Sequence, residues 1–152
     1  MADQHAWLQP LVDAVVTHAQ AIGRFERVNG HEPVSAPGNG LTCAVWPQEI
    51  VSTRSSGLRS TSILVMLSVR IFAPGMSEPR DDVDPTMVAA LSNLLAEYHR
   101  DFTLGGLVRQ VDIFGQHGRG PLRAVAGWLT PKIRVYTINL PLVVDGVWTQ
   151  GG

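Results

Sequence analysis

The chain has 152 residues, 45 % of them apolar and 16 % charged, with a net charge of −1 and a pI near 6.5. That length suits one domain over residues 1–152, and the charged share falls below the roughly 25 % of an average soluble chain, so an unusual amount of surface is free to be buried against partners. A near-neutral balance, one lysine (Lys132) and no Lys/Arg run argue against a nucleic-acid binder, whose affinity comes mostly from neutralising phosphates.

The opening "MADQHAWLQP" has neither the basic start nor the apolar core of a signal peptide. Apolar runs fall well short of the ~20 residues a membrane-spanning helix needs, so a soluble protein made in a reducing cytoplasm is expected. From about Asp3 to Ile22 the spacing of Leu8, Leu11, Val12, Val15, Ala19 and Ile22 predicts a helix with one apolar face. Asp3 is placed to cap it, and Gly23 to end it. "RFERVNGHEPVSAPGNG" holds two Asn-Gly pairs and two prolines and reads as a long loop, of the kind that serves function or partners.

"LTCAVWPQEIVSTRSSGLRSTSILVMLSVRIFA" predicts two strands joined by a hairpin near Ser55-Ser56-Gly57. In the second, Ile63, Val65, Leu67, Val69 and Ile71 share one face. Ser62, Leu64, Met66, Ser68, Arg70 and Phe72 form a mixed face, the pattern of a sheet with one side on the core. Pro47 marks an edge or a bulge. After the loop "PGMSEPRDDVDP", Asp84-Pro85 is expected to cap and open a second helix, with Met87, Val88, Leu91, Leu94, Leu95 and Tyr98 on its apolar face.

"DFTLGGLVRQVDIFGQHGRG" then predicts a turn at Gly105-Gly106 and a strand. Leu107, Arg109, Val111 and Ile113 lie on one side of it, and Val108, Gln110, Asp112 and Phe114 on the other. "AVAGWLTPKIRVYTINLPLVV" supplies one or two more strands, with Pro141 again at an edge or bulge. The order is helix, strand, strand, helix, strand, strand, strand. This is an α+β fold, a small mostly antiparallel or mixed sheet with two helices packed on one face.

Chemistry-bearing patterns are few. "GQHGRG" matches neither the dinucleotide nor the P-loop fingerprint and precedes a strand rather than a helix. The histidines His5, His18, His31, His99 and His117 have no partner at metal-ligand spacing; His18, near the polar boundary of its helix, reads as solvated or capping. Three carboxylates in "PRDDVDP" sit between prolines and lack the spaced oxygens and glycine of a cation loop. No serine lies in a G-x-S-x-G elbow, and Cys43, within "LTCAVW", reads as a buried apolar thiol. No enzyme, cofactor or metal site is predicted. Trp7, Trp46, Trp128 and Trp148 are the notable aromatics. Trp148, close to the end of the chain, either packs back on the domain or contacts another subunit.

Three stretches, "FERVNGHEPVSAPGNGLTCAVW", "SEPRDDVDPTMVAALSNLLAEYHRDFTLGGLVRQVDIFG" and "INLPLVVDGVW", resemble tail-terminator (minor tail or neck) proteins of long-tailed bacteriophages of actinobacterial type. The resemblance runs from about Phe25 to Trp148 and is strongest in "EP.D..DP", the helix after it and "DFTLGG.VR.VD". It implies a small sheet with helices on one side, and a virion protein assembled in the host cytoplasm. Such proteins form a homo-oligomeric ring, usually a hexamer, on the head-proximal end of the tail tube. The ring stops tube growth and meets the head connector, while DNA passes through its channel without specific binding.

A ring requires two different contact surfaces on each subunit, and the candidate contact residues are Arg54, Arg59, Arg119, Arg123, Trp128 and Trp148. Replacing Arg119 and Arg123 with alanine is expected to weaken assembly and leave the fold intact. A head-completion or neck adapter protein of the same assembly is the nearest alternative. A small α+β enzyme or ligand-binding domain is the alternative from another class, and it would need a pocket of convergent polar groups.

Overall fold

A computed structural model describes residues 7–30, 40–53, 60–74, 83–116, 120–130 and 133–149. Its elements are α1 (Leu8–Ala21), β1 (Arg27–Asn29), β2 (Thr42–Thr53), β3 (Ser60–Pro74), α2 (Val83–Arg100), β4 (Gln110–Val111), β5 (Ala124–Thr130) and β6 (Ile133–Thr149). The six strands form one mixed sheet in the order β1-β2-β3-β6-β4, with β5 also paired to β6. Only β1 and β2 run parallel; every other pair is antiparallel.

Period-two alternation builds the core. Ile63, Val65, Leu67, Val69 and Ile71 of β3 lie beside Cys43 and Val45 of β2 and Ile138, Leu140 and Leu142 of β6. Both helices pack on that face: α1 contributes Leu11, Val12, Val15 and Ala19, and α2 contributes Met87, Ala90, Leu91, Leu94 and Tyr98. Each large apolar side chain taken out of water stabilises the fold by about 1.5–3 kcal/mol. The opposite face is buried as well. Ala44, Trp46, Phe72 and Val135 form one cluster there, and Leu64, Met66 and Val143 another. The α+β architecture expected from the sequence is therefore the one observed.

Five local expectations need correction. The stretch read as a long loop contains β1, three residues whose partner is reached only through the parallel pairing with Thr42–Ala44. Asp84 lies inside the first turn of α2, where its carboxylate accepts from Arg134 instead of capping. Val88 is half-exposed, and Ala90 takes the core position one helical step away. The long strand expected after Gly105-Gly106 reduces to the two residues of β4, because Leu104, Gly105 and Gly106 all adopt positive φ and curl the chain. That leaves Leu107 exposed and Val108 buried.

Pro141, the fifth, is neither at an edge nor at a recorded register shift: it pairs with Met66 in the middle of β6. Its carbonyl accepts from the Asp112 amide on the β4 side. The missing N–H faces that same side, where β5 pairing has ended at Ile138 and β4 pairing begins at Leu142. Pro47 behaves as expected, since the β2–β3 register shifts between Pro47 and Glu49. Gly23 also ends α1 with φ +68°. The Asp3 cap, the 54–59 hairpin tip and "PRDD" lie outside the described residues.

Candidate functional site

Ile50 and Val88 apart, the large exposed apolar side chains of the described residues gather in two places, and both border the C-terminal half of the sheet. The first is β5. Its sequence, AVAGWLT, carries no charge and no proline, and none of its residues is fully buried. Val125, Trp128 and Leu129 are each about half-exposed, at 52 %, 50 % and 53 %. One side of β5 pairs with β6 from Ile133 to Ile138; among the described residues no strand pairs its other side.

Trp128 is held, not loose. The Arg134 guanidinium stacks 4.9 Å from its ring centroid and 5.4 Å from that of Tyr136. Arg134 Nε donates to Asp84 Oδ1 at 2.9 Å, and Nη1 donates to the Gly127 carbonyl at 3.2 Å. The hydrogen bond to Asp84 raises the Arg134 pKa further, so the cation is permanent. An ion pair from the first turn of α2 thus fixes a flat indole at the sheet edge. Exposed, pre-ordered tryptophan of this kind supplies binding energy at low entropic cost.

The second place is the bend between α2 and β5. Phe102, Leu107 and Phe114 are exposed at 50 %, 45 % and 78 %. Phe102 and Phe114 flank a depression of about 240 Å³ that is also lined by Val111, Asp112 and Ile113. Asp112 is buried, and its Oδ1 accepts from the Gln116 amide at 2.8 Å, which shapes the turn. Gly115 and Gly120 both have positive φ, and a Cβ on Gly115 would stand 2.5 Å from the Gly120 carbonyl carbon.

The groups that could do chemistry are set against it. The Ser62 hydroxyl is buried and donates to Asp145 Oδ1, while Arg109 Nε donates to Asp145 Oδ2 at 2.7 Å. Burial opposes the Asp145 charge, but the bonds from Arg109 and Ser62 outweigh it and hold its pKa below the ordinary value. A carboxylate so stabilised is a poor base for the serine proton, so the trio is a clasp joining β3, β6 and the segment before β4. Burial pushes the Cys43 thiol up to about 12 and the Tyr98 phenol well above its usual value, so both stay neutral and unreactive near pH 7. His18 Nε2 lies 3.2 Å from Asp101 Oδ2, tying α1 to the end of α2. Expected from sequence to be solvated or capping, His18 is instead largely buried and paired across the helices. Among the described residues no three His, Cys, Asp or Glu side chains converge as a metal site would require, and no helix is long and apolar enough to cross a membrane.

Of the residues singled out from sequence, Trp128 stands on the β5 edge and Arg123 is exposed just before it. Trp148 belongs to β6, opposite Thr61, rather than to a free tail; its side chain lies outside the described residues, as do Arg54, Arg59 and Arg119. The structure therefore brings Arg123 and Trp128 to one edge. Sequence reasoning missed Val125, Leu129, Phe102, Leu107 and Phe114. The signal for the first two was present: a charge-free strand between glycine- and proline-marked turns.

No protein-family model matches the chain, and no curated protein does. Among solved structures, a chain from the virion of a native gene transfer agent (GTA) particle is similar, with a TM-score of 0.45 at 16 % identity over 95 % of this chain and 96 % of that one. At this level nothing about role passes from that chain to this one.

Proposed function

We propose that this chain is a structural virion protein, and that copies of it form a ring capping the head-proximal end of a phage tail tube. In this reading the ring ends tube growth and presents a surface to the head connector. DNA passes through the channel without specific grip, in keeping with a net charge of −1. No substrate is turned over and no cofactor enters. Further copies, the tube protein and the connector are the partners, in the tail or neck of the virion, and 1–152 acts as one unit. Arg54, Arg59, Arg119, Arg123, Trp128 and Trp148 remain the proposed contact residues.

One observation carries this reading. The stretches that resemble tail terminators build the frame of the fold: β1 and the start of β2, then α2 with its following turn, then β6. That frame holds an uncharged apolar strand edge out to solvent. Monomeric proteins guard such edges with charge, proline or a cover, so an open one asks for a protein neighbour.

Electron microscopy of particles from a phage lacking the gene tests the proposal. Overlong, irregular tails apart from filled heads are expected. Tails of normal length beside tailless heads would make the protein a neck adapter. Intact infectious particles would overturn both.

A further inference from the structure

We propose that the outer edge of β5 pairs, antiparallel, with the outer edge of β2 of a second copy of this chain, so that neighbouring subunits share one continuous sheet. The pairing deepens the ring reading above and rests on it for closure; the choice of edges rests on the topology alone.

The sheet has two incompletely covered sides. On one, β1 flanks β2 only at Thr42–Ala44, and among the described residues no strand flanks β2 beyond Ala44. On the other, among the described residues no strand flanks β5 on the side away from β6. Both carry exposed apolar side chains: Ile50 at 44 % on β2, and Val125, Trp128 and Leu129 on β5. Strand edges present rows of backbone donors and acceptors, and the partner chemistry that satisfies them is another extended strand.

A second copy is the occupant because it brings the missing half of each contact. Two β5 edges meeting about a two-fold axis would leave both β2 edges and Ile50 uncovered. A β5–β2 contact covers both with one repeated interface, which is heterologous and closes into a ring when the rotation permits. Direction and facing agree. The successive pairs β2–β3, β3–β6 and β6–β5 are all antiparallel, so β5 of one copy runs opposite to β2 of the next when the sheets continue without inversion. Ile50 lies opposite Val65; Ala126 and Trp128 lie opposite Tyr136 and Arg134. All three therefore point to the helix-covered face. Ile50 is level with Leu142 and β5 with Ile133–Ile138, so the contact sets the next copy at least four residues out of step along the strands.

The device is also limited. Pro47 and the bulge before Glu49 interrupt β2, which confines pairing to its last residues and sets a register. β5 has no such interruption before Trp128.

Disulfide trapping tests the pairing. Ile50→Cys is combined in turn with Ala124→Cys, Ala126→Cys and Trp128→Cys, and each protein is oxidised both purified and in assembled particles. Within one chain these positions are three strand spacings apart, about 14 Å, and a further four to eight residues out of level along the strands, well beyond the ~7 Å between Cα atoms that a disulfide spans. Buried Cys43 does not interfere. At least one double variant should give a ladder of covalent multimers, with the single variants giving none. A covalent dimer from a β5 single variant would overturn the pairing in favour of a two-fold contact. Closed rings without any ladder would overturn it and leave the ring reading standing, whereas a protein that stays monomeric when purified and in particles would sink both. Val125→Lys serves as the companion variant: ring formation should be lost with the melting temperature unchanged, and rings at wild-type yield would count against the edge.

Discussion

β3 and β5 flank the same strand, β6, and both are written in small and apolar residues, yet their surroundings are opposite. Every β3 residue from Ser62 to Val69 is buried, including its serines, whereas no β5 residue is. β5, with two alanines and a glycine, is the weaker strand former by composition, yet both become strands. What differs is what lies beyond: β3 has β2 on its far side and two helices over its face, and β5, among the described residues, pairs with β6 alone. The lesson is that an apolar strand reports a need for burial, and the fold decides whether its own chain meets that need or a neighbour must.

Four changes break or sharpen this contrast. The largest effect belongs to the β3–β6 seam, where Leu67 and Leu140 are opposite and fully buried. Leu67→Ala should cost about 2–5 kcal/mol of stability through lost transfer energy and a residual cavity, read as a lowered urea midpoint with unchanged slope. Gly115→Ala, at the bend that delivers β5 to its place, should cost about 1–3 kcal/mol, because φ is +73° and the new Cβ meets the Gly120 backbone. A substitution with no measurable cost would mean that the bend adapts freely.

Asp145→Asn comes third, at about 1 kcal/mol, since the Arg109–Asp145 pair is partly solvated. The sign of its pH dependence is fixed. The Asp145 pKa is depressed in the folded chain, so its contribution is complete above the unfolded value of about 4 and is lost as pH falls through the lower native value. Acid titration of stability should be flatter in the variant than in the wild type over that range; equal slopes would show that Asp145 adds nothing. Smallest for the fold is Val125→Lys, within about 0.5 kcal/mol, although it should abolish assembly. A large loss of monomer stability from it would show that β5 is held by its own chain after all.

Most of the architecture was legible. Period two in "SILVMLSVRI" specified β3 and its core face, and the three-and-four spacing of Leu11, Val12, Val15 and Ala19 specified the α1 stripe. Pro47 announced its bulge because a residue without an N–H cannot complete a ladder. The same rule misplaced Pro141. A central strand tolerates proline where two neighbours leave a gap between them, and that gap exists only once β4 and β5 have both docked. β1 was invisible for a similar reason: three residues carry no periodicity, and each parallel partner lies fifteen residues away. The candidate edge was half legible. Trp128 drew notice by type alone, while Val125 and Leu129 looked like ordinary strand residues.

Local chemistry, then, determined which segments become helices and strands and which face of each turns inward, because side-chain period and backbone preference act over a few residues. Only the tertiary structure decided which strand stands at the rim. Edge or centre is a property of neighbours, and the neighbours of β5 are supplied by β6 on one side and, in the proposed assembly, by another copy of the chain on the other.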